Sequence, residues 1–359
     1  MIMTRKVQIG KIFIGGGSPI SIQSMTNTKT SDVDATVAQI LRLERAGAEI
    51  VRMSVNTPEA ADAIRLIRKQ VSVPLVADIH FDYKLALASI ENGIDKVRIN
   101  PSNIGSESAV REVVAAAKDH GIPIRVGVNG GSLDKDLSEK YGLTPKALAE
   151  SALRNVQMLE KYGFSDIVIS AKCSDVRMNV DAYRILSEKT DYPLHVGVTE
   201  AGSGDMALAK SYVGIGALLL DGIGDTVRIS ITGDPVQEVY AAENLLRAVG
   251  LRRDYVEVIS CPTCARTEIN VLALAEEVKR ATAHIAKPYT VAVMGCVVNG
   301  VGEGAHADLG VAGGRDRSAL IKHGKILRVI PNEKIITELL SEMEKDLNER
   351  YPADTQWEI

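Results

Sequence analysis

The sequence is poor in aromatic residues, which make up 4% of its 359 positions, so it offers little surface on which nucleic-acid bases could stack. It lacks a basic excess as well. Its 42 Lys and Arg stand against 46 Asp and Glu, a net charge of -4, which argues against a nucleic-acid partner held mainly by charge. No apolar run approaches the length needed to cross a bilayer, and the first ten residues carry no signal-peptide hydrophobic region, so no membrane partner is expected. A cytoplasmic location follows. In that reducing compartment the few cysteines, four in all, favour metal ligation over disulfides.

What the chain does have is a particular placement of those cysteines. Cys261-Pro-Thr-Cys264 is a C-x-x-C pair, and Cys296 opens a glycine-rich loop running from Gly295 to Gly304. Two thiolates this close in sequence can clasp a soft metal site, and a third from a distant strand end can complete most of its shell. Three thiolates leave a tetrahedral zinc one ligand short, and no histidine lies at zinc-finger spacing. The nearest further donors are Glu303 and His306. An iron-sulfur cube held by three cysteines would keep one iron free or weakly capped by a carboxylate. The spacing favours that cluster; a structural zinc completed by His306 or Glu303, a redox disulfide, and ordinary buried thiols are the alternatives. Cys173 reads as a lone thiol.

At 359 residues the chain exceeds the size at which one core stops growing. From about residue 20 to 235 a short β-branched strand, a helical stretch and a turn recur. The strands are read at 21–26, 49–55, 74–80, 95–100, 123–129, 166–171, 193–200 and 226–231. The segment 216–221 is a competing strand for the last place. The helix from Val33 to Ala46 has Ser31 or Asp32 as its N-cap and Gly47 just past its end. Strand and helix alternating eight times predict a (β/α)8 TIM barrel. Past Gln237 the pattern changes to a small α+β domain with both cysteine groups at strand ends. The division is placed at 1–240 for a substrate-binding barrel and 241–359 for an iron-sulfur domain, with the boundary within 236–255.

Residues two apart on a strand share a face. One phrase recurs at the ends of the barrel strands: Arg52-Met-Ser54, Arg98-Ile-Asn100, Arg228-Ile-Ser230 and Arg125-Val-Gly-Val-Asn129. Active sites of such barrels lie at that end, and converging guanidinium forks match phosphate oxygens. A highly anionic, phosphorylated small substrate is therefore expected. Any one of these arginines could instead pair with a carboxylate. His80, Lys172 and the pair Thr199-Glu200 lie at other strand ends, Lys172 as a point charge for phosphate and Glu200 as a general acid or base. His195 and His284 read as structural. Gly15-Gly-Gly-Ser18 lacks the strand and helix context of a dinucleotide site.

Taken together, the segments Ile22-Gln-Ser-Met-Thr-Asn-Thr28, Cys261-Pro-Thr-Cys-Ala-Arg-Thr267, Met294-Gly-Cys-Val-Val-Asn-Gly-Val-Gly-Glu303 and Gly310-Val-Ala-Gly313 resemble the bacterial 4-hydroxy-3-methylbut-2-enyl diphosphate synthases, in their two-domain form. The resemblance covers nearly the whole chain. It implies a 4Fe-4S cluster ligated by Cys261, Cys264, Cys296 and the carboxylate of Glu303, a poor ligand for soft iron that can leave. It also implies two-electron reductive opening and dehydration of 2-C-methyl-D-erythritol 2,4-cyclodiphosphate, with flavodoxin or ferredoxin as electron donor. Arg52, His80, Arg98, Arg125, Asn129, Lys172, Arg228 and Ser230 would hold the substrate. Thr199 and Glu200 would sit near the reacting carbons, with Glu200 a proton donor, and Asn299 would approach from the cluster side. The resemblance further implies a head-to-tail homodimer. Two competing readings are a zinc-stabilised barrel lyase or isomerase acting on a sugar phosphate, and a non-catalytic electron carrier.

Overall fold

Eight β-branched segments form parallel strands because each is covered on both faces, by helices outside and by the other strands' side chains inside. The computed structural model of the protein describes residues 3–352. Two compact units divide the chain, Met1–Leu251 and Arg252–Ile359.

The first unit opens with an antiparallel hairpin, β1 (Val7–Ile9) and β2 (Ile12–Ile14), for which the sequence reading had no element. The barrel strands follow as β3 (Ser21–Met25), β4 (Ile50–Ser54), β5 (Leu75–Asp78), β6 (Lys96–Ile99), β7 (Ile124–Asn129), β8 (Ile167–Lys172), β9 (His195–Val196) and β10 (Thr226–Val227). They pair in the order β8-β7-β6-β5-β4-β3-β10-β9. A single parallel bridge between Ile169 and Leu194 joins the two ends of that order, closing the barrel. Seven fall within the segments read from the sequence and β8 runs one residue past its segment, to Lys172, while β9 and β10 are only two residues long.

The helices between them are α1 (Val33–Arg45), α2 (Pro58–Arg68), α3 (Tyr83–Glu91), α4 (Glu107–His120), α5 (Lys135–Tyr141), α6 (Pro145–Glu160), α7 (Val176–Lys189), α8 (Gly204–Leu220) and α9 (Pro235–Ala248). Most begin with a side chain that accepts an otherwise orphaned helix N–H, as Asp32 does from Ala35 N at 3.1 Å. The segment 216–221 therefore belongs to a helix and its cap, leaving Thr226 to open the last strand. Val239, Ala242 and Leu246 of α9 are buried in the barrel core, and the unit ends three residues after that helix.

The hairpin closes the amino-terminal end of the barrel. Its Val7, Ile9 and Ile14 are buried against Ile50, Val76 and Val168, the inward residues of β4, β5 and β8. The polar carboxyl ends of the strands are left as the open mouth.

In the second unit β11 (Val256–Ser260), β12 (Tyr289–Met294), β13 (Leu309–Ala312), β14 (Arg317–Lys322) and β15 (Lys325–Pro331) form one sheet in sequence order. The first three are parallel and the last two antiparallel, turning at His323-Gly324. Helices α10 (Val271–Thr282) and α12 (Ile335–Arg350) bury Val271, Val278, Leu339, Met343 and Leu347 in its core. Part of the glycine-rich segment is helical, as α11 (Val297–Glu303). Gly300 permits this, since a Cβ there would lie 2.0 Å from the Ala312 Cβ of β13.

Ile9→Ala is expected to cost the barrel unit about 2–4 kcal/mol, the usual range for a fully buried Ile that leaves a cavity, read from its urea unfolding transition. A change under half a kilocalorie would show that the hairpin does not contribute to closure.

Candidate active site at the carboxyl ends of the barrel strands

The strand register aligns the inward face from one strand to the next. Met25 lies opposite Arg52, Asp78 opposite Arg98, Arg98 opposite Arg125, and Asn129 opposite Lys172. Strands β4 to β8 thus each deliver a polar group to one level of the barrel, and five cations, Arg52, Arg98, Arg125, Lys172 and Arg228, line a cavity of about 110 Å³. His80, Asn129, Thr199 and Ser230 complete its polar wall. The structure thereby brings together nine of the residues singled out from strand ends.

At the centre lies Asp78, a residue the sequence reading did not assign. Its Oδ1 accepts from Arg98 Nη1 at 2.9 Å, its Oδ2 lies 3.3 Å from His80 Nε2, and Arg52 Nε stands 3.8 Å away. Burial by itself would raise its pKa, but Arg52, His80, Arg98 and Arg125 outweigh burial and hold the carboxyl well below the usual carboxylate range. The signal was available, because Asp78 precedes His80 by two and so shares its face. Ser170, two before Lys172, is a second such case, accepting from Arg125 Nη1 at 3.1 Å. Glu238 is different in kind. It reaches Arg228 Nη2 at 3.4 Å from α9, where no strand alternation marks it.

One carboxylate cannot satisfy this set. Arg125, 1% exposed, directs Nε and Nη2 at no acceptor among the described residues, and the Nε atoms of Arg98 and Arg228 are in the same state. Burial, followed by repulsion from Arg125, Arg52, Arg228 and Arg98, pushes the Lys172 ammonium well below its ordinary value. Burial also lowers Arg52 to about 10 despite Asp78. Such a group of cations is matched by a multiply charged anion carrying several acceptor oxygens.

Two glycines make the convergence possible. A Cβ at Gly127 would meet Arg98 Nε at 2.3 Å, and one at Gly197 would meet Lys172 Nζ at 2.5 Å. Both face inward between charged neighbours and leave the long side chains their room.

Other candidates sit apart from this pocket. Asn100 is buried, and its Oδ1 accepts from Ser102 N at 3.2 Å instead of lining the cavity. Glu200 is exposed just beyond Thr199, with a left-handed φ of 54° that a non-glycine residue adopts only at a cost in strain. Cys173 is a buried thiol donating to Asp175 O at 3.2 Å, and burial raises it to about 11, as suits a packed rather than a reactive sulfur. A larger open groove of about 1060 Å³ beside α5 and α6 mixes Asp134, Asp136 and Glu139 with Lys135, Arg154 and Lys161, so no single charge accumulates there.

In the second unit the parallel ends of β11 and β12 set the cysteines side by side. Cys261 N donates to Val293 O at 3.4 Å, and Gly295 N donates to Cys261 Sγ at 3.2 Å. Cys296 follows directly at the start of α11. Cys264 is fixed by a local turn in which its N–H donates to Thr267 Oγ1 at 3.1 Å and its carbonyl accepts from Thr267 N at 3.0 Å. Among the described residues no three His, Cys, Asp or Glu side chains are set around one metal ion. A cube of four irons does not require that, because each ligand binds a different iron. Thiols at adjoining strand ends, one already receiving a backbone N–H, match the way proteins hold and tune such clusters. The side chains of Asn299 and Glu303 lie outside the described residues.

The fold and this site define an α/β-barrel protein with a cationic pocket at the carboxyl ends of its strands and a separate cysteine-bearing sheet unit. Residues 4–243 match the GcpE TIM-barrel domain and residues 257–345 the GcpE protein C-terminal domain. The protein belongs to the GcpE family. It is 56% identical, over 97% of this chain and 98% of the relative, to a protein of Caldanaerobacter subterraneus subsp. tengcongensis named 4-hydroxy-3-methylbut-2-en-1-yl diphosphate synthase (flavodoxin). A protein of the same name from Ruminiclostridium cellulolyticum is 52% identical over 95% of this chain and 97% of its own. Among solved structures, the dihydropteroate synthase of Yersinia pestis superposes with a TM-score of 0.50 at 14% identity, covering 69% of this chain and 99% of that one. That likeness speaks for the barrel fold alone.

Asp78→Asn is expected to destabilise the protein at neutral pH by about 3 kcal/mol, since it strips a buried guanidinium of its partner, and less so with phosphate present to occupy the cations. Asp78 is ionised at a depressed pKa, so its contribution is complete above the unfolded value of about 4 and disappears only as pH falls through the lower folded value. Urea unfolding of both proteins across the acid range checks this; a difference already lost above pH ~5 would contradict it. Gly127→Ala is expected to displace Arg98 and weaken anion affinity by about tenfold or more, measured by calorimetric titration with pyrophosphate.

Proposed function

We propose that the protein carries out the two-electron reductive ring opening and dehydration of 2-C-methyl-D-erythritol 2,4-cyclodiphosphate, giving (E)-4-hydroxy-3-methylbut-2-enyl diphosphate. The observation that carries this reading is the set of five cations around a single inward carboxylate, at the mouth of a barrel whose relatives bear that synthase name. A cyclic diphosphate offers two linked phosphoryl groups to such a set.

Arg52, Arg98, Arg125, Lys172 and Arg228 bind and orient the diphosphate, with His80, Asn129, Thr199 and Ser230 on its remaining oxygens and hydroxyls. Asp78 positions the guanidinium forks of Arg98 and Arg52 and does not bind the anion itself. Cys261, Cys264 and Cys296 would hold a 4Fe-4S cluster, with the Glu303 carboxylate as its fourth ligand. When bound, that cluster supplies electrons one at a time, drawn from flavodoxin or ferredoxin. In the overall change two electrons enter, the carbon–oxygen bond to the ring phosphate breaks, and a hydroxyl departs as water after taking a proton. Glu200, on a strained turn beside Thr199, is the group on this chain assigned to that proton. Asn299 contacts the substrate from the cluster side.

The resemblance also carries a head-to-tail homodimer, in which one subunit's cluster unit would close the partner's barrel, and a cytoplasmic location. No helix among the described residues is long and apolar enough to cross a membrane.

Protein purified without oxygen is expected to be brown, to contain iron and sulfide in equal amounts, and to consume the cyclodiphosphate with a chemical reductant. Glu303→Ala should keep iron and colour yet lose nearly all turnover, by about a hundredfold or more. Colourless, zinc-bearing protein would replace this reading with a zinc-stabilised barrel, and full activity of the Glu303 variant would remove the role given to that carboxylate.

A further inference from the structure

Below the anion pocket, towards the hairpin plug, the barrel holds a second polar layer that the proposed reaction does not use. Lys96 and His195 are 0% exposed and Gln23 is 1% exposed, and all three face the barrel axis. Lys96 Nζ, both His195 ring nitrogens and both Gln23 amide atoms have no hydrogen-bond partner among the described residues. Lys96 lies opposite Val76, one of the residues against which the hairpin is buried, so apolar packing seals this layer from below.

An ammonium in that position is disfavoured on every side. Arg98 follows on its own strand, and Arg52, Arg125, Lys172 and Arg228 face the axis from β4, β7, β8 and the end of β10. Asp78, on the adjacent strand, is already engaged by Arg98 and His80. Burial, then Arg125 and Arg52, drive Lys96 well below its ordinary value, and burial, then Lys172, Arg125, Lys96 and Arg52, do the same to His195. Buried, with no acceptor for its donors among the described residues and with cations facing the same axis, Lys96 is held towards its neutral amine while the pocket above holds no anion.

Resting on the cyclic diphosphate reading, we infer that Lys96 is a proton acceptor that becomes charged when the dianionic substrate fills the pocket above it. Two negative charges act on Lys96 through the low-dielectric barrel interior and offset part of the positive potential set up by the five cations and Asp78 together, which favours the ammonium. The proton comes from solvent and goes to Nζ; no bond to the substrate forms or breaks. The device lets one more positive charge act on the anion without adding its repulsion to the empty barrel.

Calorimetric titration of the oxidised holoenzyme with the cyclodiphosphate, near neutral pH and in two buffers of different ionisation enthalpy, counts the protons exchanged. Each phosphorus of that ligand carries one ionised oxygen that does not titrate near neutrality, so protons taken up go to the protein. Uptake is expected to be lower by about one proton per ligand in Lys96→Met than in wild type, with Lys96→Gln agreeing. Any share taken by Lys172 is common to these proteins and cancels in the difference. His195→Gln should leave the uptake unchanged. Saturable binding with buffer-independent heat in wild type, unchanged uptake in both Lys96 variants, or loss of uptake in the His195 variant would each overturn the inference while leaving the substrate reading intact. Absence of saturable binding by wild type would overturn the substrate reading and the inference with it.

Discussion

A buried carboxylate among guanidinium groups is the interaction around which this barrel is organised. Asp78 neutralises part of the charge that Arg52, Arg98 and Arg125 bring to one level, and does so with 3% of its surface exposed. Ion pairs at that depth contribute little to net stability, because desolvation offsets the Coulomb gain. Their value here is geometric. Arg98 is gripped by Asp78 on one side and by the Gly127 carbonyl at 3.0 Å on the other, so its planar fork is set before any ligand arrives.

The rest of the barrel can be understood as support for that arrangement. Alternation along parallel strands puts every second residue on the axis, and the hairpin at the amino-terminal end fills the layer where polar groups would otherwise meet solvent from below. Glycine at 127 and 197 gives up packing on the same axis so that Arg98 and Lys172 can extend across it. The outer helices carry ordinary duties of capping and apolar burial. The second unit uses the same logic in miniature, with two parallel strand ends bringing distant cysteines to neighbouring positions.

Much of this was legible in one dimension. The eight strands could be placed because each is a β-branched run between turn signals, and the Arg-x-polar phrase identified which ends carry charge. Asp78 and Ser170 carried a signal that went unread, their spacing of two from His80 and Lys172; elsewhere no local signal was decisive. The segment 216–221 is apolar enough for either a strand or a buried helix, and length within α8 decided for the helix. The helical turn at 297–303 was hidden by glycines that usually argue for a loop, because its reason for forming is the contact of Gly300 with Ala312. Asn100 shares the phrase that marks Arg98, yet its amide is drawn aside by Ser102.

By itself the sequence determined the barrel, the cysteine-bearing second unit, the sign of the charge at the strand ends and the family, since period, spacing and motif are properties of neighbouring residues. Only the tertiary structure decided which arginines Asp78 engages, that Glu238 reaches Arg228 from a helix, and that Lys96 and His195 lie beneath the pocket without hydrogen-bond partners among the described residues. Those facts depend on which strands are adjacent and at what register, and closure of the barrel sets both through contacts between residues far apart in the chain.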